Sequence, residues 1–155
     1  MPLYHFVTVW KYKAPVETIW PILRDAEKWP SWWKGVRKVE TLEQGDADGI
    51  GLLQRFTWRS QLPYNLVFDT RVVRVVPMKE IEGAASGELA GKGVWHLSQD
   101  GAITTMQYNW DIATTKAWMN LFAPIARPFF SWNHDIVMHW GGEGLAKLLG
   151  TPLIE

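Results

Sequence analysis

Two polar side chains interrupt a stretch that is otherwise greasy on one side. They are Asn133 and His134, within Pro128-Phe-Phe-Ser-Trp-Asn-His-Asp-Ile-Val-Met-His-Trp140. At about 100° per residue, one arc of a helix collects Ala126, Phe130, Val137, Trp140, Gly141, Gly144 and Leu148. Asn133 falls inside that arc and His134 at its edge, while Asp135, His139 and Ala146 take the far side. A buried, unpaired carboxamide costs about 1–3 kcal/mol. Asn133 therefore either bonds sheet backbone or a buried water, or it faces a cavity and orients a ligand carbonyl or hydroxyl. His134 divides the same way, between a boundary histidine and a group that hydrogen-bonds or exchanges protons with a ligand near neutral pH. Gly141 and Gly144 lie on the apolar arc at a cost of roughly 1 kcal/mol each relative to alanine. Close approach of the sheet explains that, and so does empty volume where a ligand sits.

Other chemistries lack their residues. Gly83-Ala-Ala-Ser-Gly87 holds its serine at the wrong place for a nucleophile elbow, and Gly49-Ile-Gly51 is not followed by the third glycine of a dinucleotide loop. His134 and His139 are about 140° apart around a helix, so they do not share a metal, and neither metal nor cofactor is expected. Zero cysteines remove disulfides, thiolate sites and a cysteine nucleophile, and they fit the cytoplasmic location expected here. Sixteen basic and sixteen acidic side chains cancel, so no general field draws the chain to nucleic acid or an anionic membrane. The start reads as a strand, without a signal peptide's basic lead and cleavage site. The outlier is eleven tryptophans. Such rings fill a core, or line a cavity for a flat or fatty ligand.

The positioning elements follow from periodicity. Tyr4 to Tyr12 alternates as a strand, and Val16 to Arg24 forms a short helix behind Ala14-Pro15. A second short helix is expected to start near Pro30, with Trp29, Trp32 and Trp33 on one side. The period then becomes two: Val36–Gln44, Ile50–Arg59, Tyr64–Val76, Lys79–Glu88, Gly91–Gln99 and Ala102–Thr114 read as strands. Tyr64, Leu66 and Phe68 on one strand, and Tyr108, Trp110 and Ile112 on another, are expected to point inward. Asp69 and Arg71 share the solvated face. Lys116–Phe122 is expected to make a helical turn, and Ala126–Leu149 a helix roughly 36 Å long, with Pro124 and Pro128 bending its entry. Strands in sequence with segregated helices predict an α+β fold, one domain over residues 1–155, with a curved antiparallel sheet of about seven strands gripping the terminal helix.

That order resembles the helix-grip fold of the SRPBCC superfamily, which includes START domains and the birch-pollen allergen. The stretches Ala14-Pro-Val-Glu-Thr-Ile-Trp20, Trp29-Pro-Ser-Trp-Trp33, Leu62-Pro-Tyr64, Gly87-Glu-Leu-Ala-Gly-Lys-Gly-Val-Trp95, Tyr108-Asn-Trp110 and Trp132-Asn-His-Asp-Ile-Val-Met138 are similar to its polyketide cyclase/dehydrase and lipid-transport branch. The resemblance implies a hydrophobic pocket between sheet and terminal helix that carries lipids, quinones, polyketides or aromatics. Within it, Tyr64, Phe68, Trp95, Tyr108, Trp110, Phe130, Asn133, His134, Val137 and Gly141 are the expected lining. Trp29, Trp32 and Trp33 are expected at the mouth, as a cap or as a surface for transient membrane contact. Three functions stay open: a non-catalytic carrier, a cyclase or dehydratase using His134, Asn133, Tyr108 and Tyr64, and a ligand-sensing interaction module. The carrier is favoured because few titratable groups point inward. Monomer and homodimer are not separated.

Overall fold

The computed structural model describes residues 3–61, 65–115 and 123–154. Tyr64 and the helical turn expected over Lys116–Phe122 lie outside the described residues. Eight strands form one antiparallel sheet in the order β2-β3-β4-β5-β6-β7-β1-β8. They are β1 Leu3–Tyr12, β2 Val36–Glu43, β3 Leu53–Arg59, β4 Asn65–Val76, β5 Glu80–Gly87, β6 Leu89–Asp100, β7 Ile103–Thr114 and β8 Leu153–Ile154. With α1 Val16–Arg24, a 3-10 helix Ala26–Ser31 and the long α2 Ala123–Leu149, this is the helix-grip fold. The two-residue β8, which follows α2 and pairs with Lys11 and Tyr12, is the strand the periodicity did not foretell.

Alternation decides which face each strand buries. Tyr4, Trp10 and Tyr12 of β1 are almost fully buried, whereas Val7 and Val9 are exposed. Phe6 pairs with Trp110 and Thr8 with Tyr108, joining the first and seventh strands along their length. On the outer face Arg55 grips Asp69 through two hydrogen bonds of 2.8 and 3.1 Å, and Arg71 reaches Glu43 at 2.7 Å. Asp69 and Arg71 thus belong to surface ion pairs, away from the interior.

Two local expectations change. The element after α1 is a 3-10 helix that contains Pro30 and ends at Ser31, so Trp32 and Trp33 lie past it. Their N–H groups both return to the Trp29 carbonyl, at 3.1 and 2.7 Å, and this tight reversal drives Trp33 into the core. The long helix begins at Ala123 and accommodates Pro128 internally; Pro124 sits in the first turn, where its missing N–H removes no bond.

The buried stripe of α2 runs through Phe130, Asn133, His134, Val137, Met138, Gly141, Gly142, Leu145 and Ala146. That stripe is rotated from the expected arc: Leu148 is exposed, Ala146 is buried, and Trp140 is only half-buried, with the Lys34 ammonium 4.5 Å from the centre of its ring. Small residues let the helix approach its neighbours. A Cβ at Gly141 would overlap the Trp33 ring, one at Gly144 the Trp32 carbonyl oxygen, and one at Gly142 would lie 3.0 Å from Trp10 Nε1. Tyr12 fastens the same end, its hydroxyl donating to the Gly142 carbonyl at 2.7 Å. Burial, and secondarily the charge of Glu143, push that phenol well above its ordinary pKa, so it remains a donor.

Candidate functional site

The N-terminal half of α2 stands over a cavity of about 100 Å³. Strands β3, β4, β6 and β7 supply Trp58, Leu66, Phe68, Trp95, Tyr108 and Trp110; the helix supplies Phe130, Asn133, His134, Val137 and Met138. The walls are apolar because each strand turns its aromatic alternate inward, stacking Trp95 on Tyr108 at 4.5 Å and Phe56 on Phe68 at 5.9 Å between ring centres. Among the described residues no carboxylate, lysine or arginine lines this cavity.

Several polar atoms on its wall have no hydrogen-bond partner among the described residues. Both side-chain atoms of Asn133, both ring nitrogens of His134 and the indole nitrogen of Trp58 are buried without a hydrogen bond among the described residues. His134 lies stacked over Phe6 and Trp110, with ring centres 4.0 and 5.4 Å away. Its Nδ1 is 3.7 Å from Asp135 Oδ1, beyond hydrogen-bond reach, and that carboxylate is 80% exposed. Burial therefore dominates and lowers the imidazole pKa to about 4, against a slight upward pull from Asp135. The ring is neutral at pH 7, with one nitrogen offering a proton and the other a lone pair. Tyr108 is pushed upward by burial and stays protonated. Its hydroxyl packs where a side chain on Gly93 would otherwise be.

Phe68, Trp95, Tyr108, Trp110, Phe130, Asn133, His134 and Val137 of the expected lining come together around this cavity. Gly141 does not: its hydrogen faces the Trp33 ring, so the space it leaves is filled by that indole. The tryptophan trio divides. Trp29 is a wall residue, its Nε1 donating to Leu23 O at 3.2 Å. Trp33 is no mouth residue at 1% exposure; its ring borders the cavity while its Nε1 donates to the Val137 carbonyl at 2.8 Å. Trp32 lies off the wall, ring against ring with Trp33 at 5.5 Å. The wall residues Trp58, Ser60 and Met138 were missed, as was Phe6, which stacks on His134. Trp58 alternates with Phe56 and Gln54 along β3, and polar Gln54, itself buried, obscured that inward face.

Among the described residues no group of three or more His, Asp or Glu side chains is arranged to hold a metal ion, and no helix is long and apolar enough to cross a membrane. The chain matches the family model described as polyketide cyclase / dehydrase and lipid transport over residues 12–135. No curated protein sequence matches it. Among solved structures, the chain is similar to a START superfamily protein from Mycobacterium smegmatis, at TM-score 0.76 and 16% identity over 94% of this chain and 97% of that one. It is also similar to the Zhui aromatase/cyclase from a Streptomyces species, at TM-score 0.67 and 16% identity over 95% and 96%. A third similar structure, from Thermus thermophilus, gives TM-score 0.69 and 13% identity over 95% and 99%.

Proposed function

Since the chain belongs to the polyketide cyclase / dehydrase and lipid transport family, we propose that it binds and carries a hydrophobic small molecule, a lipid, quinone, polyketide or aromatic, beneath α2. The observation that supports this most is the unpaired state of Asn133, His134 and Trp58 Nε1 in an aromatic cavity. Each buried polar group without a partner costs about 1–3 kcal/mol. A ligand that presents a carbonyl, hydroxyl or amide to them recovers that energy, while its apolar body displaces solvent from the rings. Phe68, Trp95, Tyr108, Trp110, Phe130 and Val137 provide the apolar contacts in this reading, and Asn133 and His134 fix orientation.

Native mass spectrometry of the purified protein, followed by organic extraction, is the direct test. A bound apolar compound, or saturable tryptophan quenching by added lipids, quinones or aromatic ketones, is the expected result. No extracted compound, together with no saturable binding across that panel, would sink the reading.

A cyclase-type activity is the second reading, favoured by the likeness to an aromatase/cyclase and by His134 and Asn133 sharing one cavity. It ranks second because an imidazole with a pKa of about 4 is a weak base and carries almost no proton to donate at pH 7. Turnover of a poly-β-ketone substrate that His134→Phe abolishes while binding persists would reverse the ranking.

A further inference from the structure

A second cavity, also of about 100 Å³, adjoins the first and shares Trp29, Trp58, Phe68, Trp95, Tyr108 and Trp110 as walls. Together the two exceed the ~150 Å³ apolar cavity that suffices for benzene. Helix α2 closes the first. The second extends the opposite way, to Leu23 and Arg24 at the end of α1, Ala26 of the 3-10 helix, and Leu52 and Gln54 around the start of β3. The two differ in charge. No ionic side chain lines the first among the described residues, whereas Arg24 lines the second as its one ionic group.

Arg24 is held in place. Its Nη2 donates to the Asp48 carbonyl at 3.0 Å, and its guanidinium carbon lies 5.6 Å from the centre of the Trp20 ring. The turn supplying that carbonyl is itself fixed, with Asp46 Oδ1 accepting from the N–H groups of Asp48 at 2.9 Å and Ile50 at 3.0 Å. Gly49, at φ +87°, completes the fit, since a Cβ there would overlap Arg24 Nη2. No carboxylate among the described residues pairs with the guanidinium; neighbouring Asp25 faces Lys28 at 3.5 Å. A basic residue in the last turn suits the helix dipole, which accounts for the residue type. It does not account for a half-buried cation fixed at the wall of an aromatic chamber with most of its five N–H donors unspent.

We infer that the second cavity receives the anionic end of an amphipathic ligand, a carboxylate or phosphate bound by Arg24, while the apolar body runs through the aromatic walls toward Asn133 and His134. This rests on the hydrophobic-ligand reading above and adds the ligand's charge and direction. A guanidinium meets such an anion through paired, charge-assisted hydrogen bonds.

The test displaces the neutral dye N-phenyl-1-naphthylamine with decanoic acid, decyl phosphate and 1-decanol at pH 7.5 and 150 mM salt. In the wild type an anionic ligand is expected to bind about tenfold more tightly than decanol. Arg24→Gln should bring acid and alcohol to parity and leave decanol unchanged; Arg24→Lys, which keeps the charge without the fork, should retain part of the preference. Tighter binding of the phosphate over the carboxylate, or the reverse, identifies the head group. Equal affinities for anions and alcohol in the wild type, or a preference that survives Arg24→Gln, overturns this inference and leaves the carrier reading standing. Failure of the dye and all three decyl compounds to bind overturns both.

Discussion

The two halves of α2 are packed on opposite terms. From Gly141 to Ala146 the helix is pressed so closely onto Trp10, Trp32 and Trp33 that three glycines have no room for a methyl group, or almost none. From Phe130 to Met138 the same helix touches the sheet through Phe130 and His134 but borders a cavity where Asn133, His134 and Trp58 Nε1 lack partners. One half is optimised for contact. The other leaves empty volume and unpaired polar atoms, where a fold selected only for stability would place leucine. That contrast separates the scaffold from the site more sharply than any single residue does.

Substitutions should therefore change stability in opposite directions on either side of Val137. The largest effect is expected from Gly144→Ala, because the added methyl meets the Trp32 backbone carbonyl, which cannot rotate aside. A loss of about 3 kcal/mol is expected in denaturant melts, despite the gain in helix propensity. A variant as stable as the wild type would mean that the helix end is not clamped.

His134→Phe keeps a ring over Phe6 and Trp110 and removes two unpaired nitrogens. The apo protein should gain roughly 2 kcal/mol at pH 7, and it should lose affinity for ligands bearing a hydrogen-bonding group. The same variant has a pH signature. With the folded-state pKa at about 4 and an unfolded value near ~6.5, the unfolded chain binds the proton more readily. Stability from this group is complete above pH ~6.5, falls as the pH is lowered, and is fully lost below ~4. The wild type should thus lose stability by up to about 3 kcal/mol more than His134→Phe across that window. Parallel pH curves for the two proteins would refute the assignment of a buried neutral imidazole.

Asn133→Leu is the smallest of the three, a gain of about 1 kcal/mol in the apo protein. Calorimetry should show weaker binding of carbonyl or hydroxyl ligands by that variant, with binding of a pure hydrocarbon unchanged. If the apo variant is destabilised instead, Asn133 has a structural partner and the cavity is not what exposes it.

Much of the fold was legible because its elements are long and locally consistent. The expected bounds of α1 coincide with the observed helix, and the strand faces of Phe68, Tyr108 and Trp110 follow from alternation alone. Short or bent segments escaped. The pair Leu153 and Ile154 is too brief for a period, and Pro30 signalled a helix start where the chain instead completes a 3-10 turn. The expected helix arc was displaced at its C-terminal end for a physical reason: Trp140 and Leu148 are large and apolar but half-buried and exposed respectively, while small Ala146 is buried. Ranking positions by side-chain size and hydrophobicity draws the arc toward such residues and away from a small buried one. The glycines were recognised as unusual, but only the three-dimensional contacts show that Trp32 and Trp33, and not the sheet or a ligand, occupy the space beside them. Arg24 carried no sequence signal, since a basic residue ending a helix is ordinary.

The small β8 strand acquires a mechanical meaning from its position. It returns directly after α2 to pair with Lys11 and Tyr12, and Leu153 lies 3.1 Å from where a Gly142 side chain would begin. The rod is thus tethered at its trailing end, both by the Tyr12 hydroxyl and by this strand. A 27-residue helix is about 40 Å long, so a tilt of only about 10° at the tether swings the opposite end through roughly 7 Å. Any angular play at the fixed end would be magnified over the cavity, so the two residues of β8 bear on the height of Phe130 above the sheet from the far end of the rod.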